Sequence, residues 1–327
     1  MRPISQHSVI ILVTVAALLA GCGPGATPNG SGLFVPVSRG AAGVVPAFTT
    51  PALIAFDTQN GALGYWPIKR GGGRTLQSLS GPLGIFSGYA MAANGNVMII
   101  ANYSPAEVMT YNVKTKAQKT MGDPYGQPYD VAVDKKRNIY ALSPGSVAVY
   151  KAGSSTPSQL TCSHISSGQA VAVDNEGDVF VNGYGPSFMG VVEYPAGSRT
   201  CQVLHLRTEL GYAGGVGIDP KTDDLIVVDD PDLCAGGIEG RMIIYPKPYK
   251  ARTSIRRILG ATYCAGIFRL DANSEHIFYS DSTVSAGFPL IDESRYPSAK
   301  AVGVYMNGYY SNGNFAGFTT IPNTLPN

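Results

Sequence analysis

The feature that most constrains this chain is a repeat with a period near 40 residues. It shows directly in two segments. One is Tyr129-Asp130-Val131-Ala132-Val133-Asp134 followed by Asn138-Ile139-Tyr140-Ala141; the other is Ala170-Val171-Ala172-Val173-Asp174 followed by Gly177-Asp178-Val179-Phe180-Val181. Asp134 and Asp174 are 40 residues apart, and the same step back from Asp134 reaches Asn94. Asp219 in VGIDPKTDDLIVV and Asp271 in FRLDANSEHIFYS continue the series. Each unit reads as strand, polar turn, strand, variable loop, a third strand ending in an aromatic residue, turn, and a fourth strand. The third-strand aromatics are Trp66, Tyr111, Tyr150, Tyr194, Tyr245 and Tyr305. A four-stranded unit of this length cannot bury both of its faces alone, so copies must stack radially and close into a ring. The expected fold is therefore all-β, a six-bladed β-propeller of four-stranded antiparallel blades, placed near 52–80, 84–121, 126–162, 168–204, 212–260 and 264–321. The first unit lacks a clear innermost strand, which Val44–Phe48 or the C-terminal segment NFAGFTT would have to supply.

Composition agrees. The 327 residues include 40 Gly and 23 Pro, while charged residues make up 14 %, well below the roughly 25 % of average domains. A hydrophobic share of 44 % is ample for a core, which excludes wholesale disorder, and coiled coils need charged, Gly-poor segments. A net charge of +2 creates no global field for nucleic acid, so no nucleic-acid partner is expected.

The N-terminus reads as an address. Residues 1–21 carry Arg2, then the apolar run Val9–Ala20, too short to span a bilayer, then small residues, as an export signal does. Leu19-Ala20-Gly21-Cys22 resembles a bacterial lipoprotein lipobox, which implies lipid attachment at Cys22. Several acyl chains on one residue would anchor the chain stably to a membrane. Gly23 in place of Asp points to the outer membrane if the cell is Gram-negative. Residues 22–50 are Gly- and Pro-rich and read as a lipid-anchored tether, and residues 51–327 as the propeller, expected to be a monomer.

Three sets of residues are candidates for a role. Asp134, Asp174, Asp219 and Asp271, with Asn94, stand before turns and are expected to fix them through side-chain to backbone hydrogen bonds. Asp57, Asn102, Ser143, Asn182, Asp229 and Asp281 end the second strands, all on one face, and would ring one mouth of the central channel. Carboxylates there, Asp229 and Asp281 first, are weak candidates to hold Ca²⁺, which takes six to eight oxygens; otherwise no cofactor is expected. Counting from this ring to the third-strand aromatic gives 9, 9, 7, 12, 16 and 24 residues, so the loops grow toward blades 4, 5 and 6. Long loops on a rigid scaffold commonly carry function. The expected contact surface is Asp229-Asp230-Pro231-Asp232 and residues 282–300, with Tyr184, Phe288 and Tyr296.

Four cysteines remain. Cys234 and Cys264 belong to one face of neighbouring blades and form a reasonable disulfide, whereas Cys162 and Cys201 lie at different heights, beyond the roughly 7 Å that a bridge allows, and are expected to be free. Lys247, Lys250, Arg252, Arg256 and Arg257 fall on the outermost strand of blade 5, where charge blocks edge-to-edge pairing. No histidine has a partner at metal-binding spacing, and no G-x-S-x-G or phosphate loop is present.

The pattern VAVD, then (I/V)(Y/F), then V(A/E)Y and xAGS resembles six-bladed propellers of the NHL-repeat and gluconolactonase-like (regucalcin-like) superfamily, and more narrowly lipoproteins of that group, over residues 52–321. That architecture hosts lactonases, lyases and binding modules. Its enzymes hold a channel cation on a Glu, an Asn and an Asp. Here Asp130 and Asn182 or Asp229 match two of the three, and no inner-strand Glu completes the set. Two functions follow: a membrane-anchored binding or scaffold propeller engaging a protein, peptide or glycan through the loop-rich face of blades 4–6, or a cation-dependent lactonase or lyase at the channel mouth. No catalytic residue is assigned.

Overall fold

A computed structural model describes residues 52–321 apart from 58–61, 69–76, 81–82, 84–87, 207–209, 212, 230–240, 250–255, 258–267, 282–289, 299 and 306–314. The described residues form six four-stranded antiparallel sheets. Blade 1 contains β1 (Ala52–Asp57), β2 (Ala62–Pro67) and β3 (Gln77–Ser78). Blade 2 is β4 (Gly88–Asn94), β5 (Val97–Asn102), β6 (Glu107–Asn112) and β7 (Gln118–Gly122). Blade 3 is β8 (Asp130–Val133), β9 (Ile139–Ser143), β10 (Ser146–Tyr150) and β11 (Ser158–Thr161). Blade 4 is β12 (Ser167–Val173), β13 (Val179–Gly185), β14 (Phe188–Tyr194) and β15 (Gln202–Val203). Blade 5 is β16 (Ala213–Ile218), β17 (Leu225–Asp229), β18 (Arg241–Tyr245) and β19 (Arg256–Arg257). Blade 6 is β20 (Phe268–Leu270), β21 (His276–Asp281), β22 (Leu290–Arg295) and β23 (Lys300–Tyr305).

The ring closes on itself. The last strand, β24 (Phe315–Ile321), pairs antiparallel with β1 and becomes the innermost strand of blade 1. NFAGFTT thus supplies the missing strand, while Val44–Phe48 lies outside the described residues. The innermost strands then neighbour one another in the order β24, β4, β8, β12, β16, β20 and back to β24. Gly317 marks how tightly they approach: a Cβ there would lie 2.7 Å from the Cα of Ala90. Only a residue without a side chain fits that crossing.

Why the strands read as nearly unbroken apolar runs is now clear. Both faces of each blade are covered, so alternate residues enter different interblade cores. In β9, Ile139 and Ala141 pack toward blade 2 while Tyr140 and Leu142 pack toward blade 4. Six such apolar clusters fill the six blade-to-blade interfaces. Trp66, Tyr111, Tyr150, Tyr194 and Tyr245 are buried third-strand residues of these cores, as the repeat implied.

Blade 6 departs from expectation. Tyr305 ends its fourth strand, not its third, because β22 forms within the stretch read as a loop. The register puts Ser294 at the place of the third-strand aromatic, where its hydroxyl lies 3.4 Å from the hydroxyl of Tyr279. The loop between the second and third strands therefore shrinks to residues 282–289. In blade 4 the extra length is not loop either. There β13 and β14 continue past Asn182 and turn through Pro186 and Ser187. The apparent growth of loops was partly growth of strands.

Cys162 and Cys201 are bonded, with Cα atoms 5.7 Å apart, which overturns the expectation that both are free. Heights read from strand order hold near the axis only. Each sheet twists by about 20–25° per strand, so a fourth strand leans across the rim and brings its end to the neighbouring blade. Cys162 follows β11 and Cys201 precedes β15, and both pack with the core between blades 3 and 4. Cys234 and Cys264 lie outside the described residues. In the basic run, Arg256 and Arg257 form the outermost strand β19, but Lys247 sits in the turn after β18.

Candidate functional site

The turns joining first to second strands define one face of the ring, here the turn face. The connections from second to third strands, and from each blade to the next, define the opposite loop face. Between them runs the central channel, where a buried cation stands among the described inner-strand residues. Arg269 stands in β20 where blades 3, 4 and 5 have Ala132, Ala172 and Gly217. Its Nε donates to the carbonyl of Met91 in blade 2 at 2.9 Å, and its Nη2 to Oδ1 of Asp130 in blade 3 at 3.0 Å. Asp130 also accepts from the amides of Val131 and, in blade 4, Val171, each at 2.9 Å. Arg269 is 6 % exposed and Asp130 3 %. Burial pushes the Asp130 carboxyl above the ordinary carboxylate range, opposed by Arg269 and by the two amides. One ion pair thus ties together inner strands of four blades across the channel.

Sequence reasoning took Asp130 as a match for a cation ligand and passed over Arg269. The signal was present: a lone arginine in FRLD, where the sister strands read VAVD or VGID.

The expected ring occupies the loop-face ends of the second strands in the backbone, and among the described side chains Asn102, Asn182 and Asp229 bond to protein groups. Asp229 is buried and closed: Oδ1 accepts from the amide of Gly211 at 2.7 Å, and Oδ2 lies 2.6 Å from Nη2 of Arg241. A cation at Asp229 would have to displace that guanidinium. Asn182 donates to the carbonyl of Gly214 in blade 5 at 3.1 Å, and Asn102 donates to Oε2 of Glu107 at 3.4 Å. Asn102 Oδ1, Ser143 Oγ and Asn182 Oδ1 are buried with no hydrogen-bond partner among the described residues. Asp57 and Asp281 end β1 and β21, and their side chains lie outside the described set, as do Asp230, Asp232 and Phe288.

Among the candidates for the contact surface, Tyr184 lies within β13 rather than in a loop. It sits near the tip of the β13–β14 hairpin on the loop face, directly opposite Met189. The two are the large hydrophobic residues that are exposed among the described ones, at 37 % and 40 %. Phe188, at the same tip, packs edge-on against His164 with ring centroids 6.1 Å apart. Further round the same face Tyr103 and Tyr129 stack at 5.7 Å. Tyr296 is a correction. It follows β22 and so lies on the turn face, its amide bonded to the carbonyl of Glu275, packed against the core between blades 5 and 6.

On the turn face the repeat aspartates cap turns as expected. Asp174 Oδ1 accepts from the amides of Glu176, Gly177 and Asp178, and Asp134, Asp219 and Asp271 do likewise in their own blades. Asn94 differs, its amide reaching the carbonyl of Asp134 in the next blade. Asp174, Glu176 and Asp178 lie close enough together to suit a metal ion. Lys247 already stands among them, 3.0 Å from Asp174 and 3.1 Å from Glu176. These carboxylates push the Lys247 ammonium above its ordinary range, against the effect of its burial.

No family model matches the chain, and no curated protein does. Solved structures do. A chain of a nidogen/laminin complex superposes with a TM-score of 0.60, covering 83 % of this chain and 98 % of that one at 13 % identity. A functionally unknown protein from Desulfotomaculum acetoxidans DSM 771 gives 0.55, with 83 % and 99 % covered at 10 % identity. Hydrazine synthase of Kuenenia stuttgartiensis gives 0.51, with 64 % and 63 % covered at 13 % identity. The likeness is one of fold: this chain is a β-propeller.

Proposed function

We propose that this chain is an exported binding propeller of the NHL-repeat, gluconolactonase-like kind, anchored to the cell envelope through Cys22, which engages a protein partner with its loop face. The observation that carries the reading is the β13–β14 hairpin, which exposes Tyr184 and Met189 on the loop face of a blade that a disulfide ties to its neighbour. Aromatic and methionine side chains are enriched at protein interfaces, where they bury much area with few competing charges. A protein partner, of the sort met in the nidogen/laminin complex, suits such a surface better than a small molecule does. The channel supports the same reading from the other side. Both carboxylates that matched the enzyme pattern are bonded to arginines, Asp130 to Arg269 and Asp229 to Arg241, rather than converging on an open position.

The test is site-specific photo-crosslinking in cells, with the photoreactive residue at Tyr184 or, on the turn face, at Lys221. A discrete protein adduct from position 184 and none from 221 is the expected result, lost when Met189→Ser is added without change in melting temperature. Equal adducts from both positions would defeat the loop-face reading. Hydrolysis of a lactone by the purified chain, abolished by chelator, would defeat the non-catalytic one.

A further inference from the structure

A cleft of about 210 Å³ opens between blades 2 and 3, toward the turn face. Its floor is apolar, built from Ile99 and Met121 on one side and Val133, Ile139 and Tyr150 on the other. The Tyr150 hydroxyl is bonded to the carbonyl of Gly122, so it presents its ring rather than a free polar group. Three cations stand at the rim: Lys119 from β7, Arg137 from the turn between β8 and β9, and Lys151 just after β10. All three are exposed, and among the described residues none of them forms an ion pair. The acid of the same turn, Asp134, is buried and bonded to Asn138 and Tyr140. Arg137 is held at a φ of 65°, a left-handed conformation for which the same place in blade 4 uses Gly177. A long cation thus stands at the cleft mouth in a conformation that favours glycine.

We infer that this cleft binds a small amphipathic anion, one apolar tail on the floor and one carboxylate between the rim cations. Apolar walls reward removal of the tail from water, and a planar guanidinium with two ammonium groups matches a carboxylate. A cleft of this size suits one short acyl tail. The inference is independent of the loop-face reading, since the two surfaces lie on opposite faces and share no residue.

Calorimetric titration of the full chain with sodium octanoate tests it. Octanol supplies the tail without the charge, and butyrate the charge without the tail. Saturable binding of octanoate at one site per chain, with both controls at least about tenfold weaker, is the expected result, since charge and tail each contribute on the order of a factor of ten. Arg137→Ala should weaken octanoate by a similar factor. Thr110→Trp, which fills the cleft from a half-exposed position, should abolish binding, and Tyr184→Ser should leave it unchanged. Octanol binding as tightly as octanoate, indifference to both Arg137→Ala and Thr110→Trp, or no saturable heat would each overturn the inference. Sedimentation with phosphatidylglycerol vesicles separates the membrane as the source of the anion. Vesicle binding that depends on Arg137 and is not displaced by octanoate would replace the small ligand with a lipid surface.

Discussion

At the scale of single residues, two buried acids differ in what stands beside them. Asp130 has a cation, and its worth is conditional on that cation. Arg269→Met would leave a buried carboxylate uncompensated, which typically costs about 3–5 kcal/mol. Urea unfolding should show that loss, and adding Asp130→Asn to Arg269→Met should restore much of it; equal loss in the single and double variants would mean that the pair does not act as a pair. Among the described residues Asp123 pairs with no cation. One of its oxygens accepts from the amide of Tyr125 and the other is buried with no partner among the described residues. Burial raises its pKa, the Tyr125 amide lowering it in part. A carboxyl whose folded pKa is raised keeps its proton longer in the folded chain than in the unfolded one. Its contribution to stability is therefore present at low pH and lost as pH rises from the ordinary carboxylate range through the raised value. Asp123→Asn retains the acceptor for Tyr125 and removes the charge. Its melting temperature relative to the parent should climb as pH rises through that window, and a constant difference would refute the assignment.

At the scale of strands, β24 decides whether the ring is a ring. It supplies the inner strand of blade 1, and its Thr320 hydroxyl donates to the carbonyl of Leu270 in blade 6 at 2.9 Å. Truncation before Phe315 would leave blade 1 with three strands and the interface to blade 6 open. Broad, multi-step unfolding by circular dichroism, in place of one cooperative transition, is the expected result. Gly317→Val tests the same closure by a different route. Its branched side chain must displace the backbone of β4, so the variant should be destabilised well beyond an ordinary surface substitution. The hairpin of β13 and β14 shows the converse. Near its tip Tyr184 and Met189 are exposed, so changes at those two positions should alter partner binding with little change in melting temperature.

At the scale of the whole molecule, the disulfide joins the outer parts of blades 3 and 4 beside their shared core. For a separation of 39 residues, loop-closure entropy gives a contribution of about 4 kcal/mol at most. Cys162→Ser with Cys201→Ser should therefore unfold at lower urea, with most of the loss falling within that bound. Peptide mapping without reductant should recover the two cysteines in one linked fragment. The blade-to-blade cores and the buried Arg269–Asp130 pair across the channel hold the ring from the inside.

The repeat determined the fold. A period near 40 residues with apolar runs and turn-capping aspartates admits few structures other than stacked blades, because each copy must bury both faces on its neighbours. The capping roles of Asp134, Asp174, Asp219 and Asp271 were equally legible, since the hydrogen bonds run to amides a few residues away. What the sequence could not decide involves distant residues meeting. Cys162 with Cys201 depends on accumulated sheet twist, and Arg269 with Asp130 on two inner strands facing each other across the axis. The position of Tyr296 depends on where β22 pairs within a stretch that reads as loop. Local chemistry acts along the chain, whereas these pairings follow from ring closure, a property of all the blades at once.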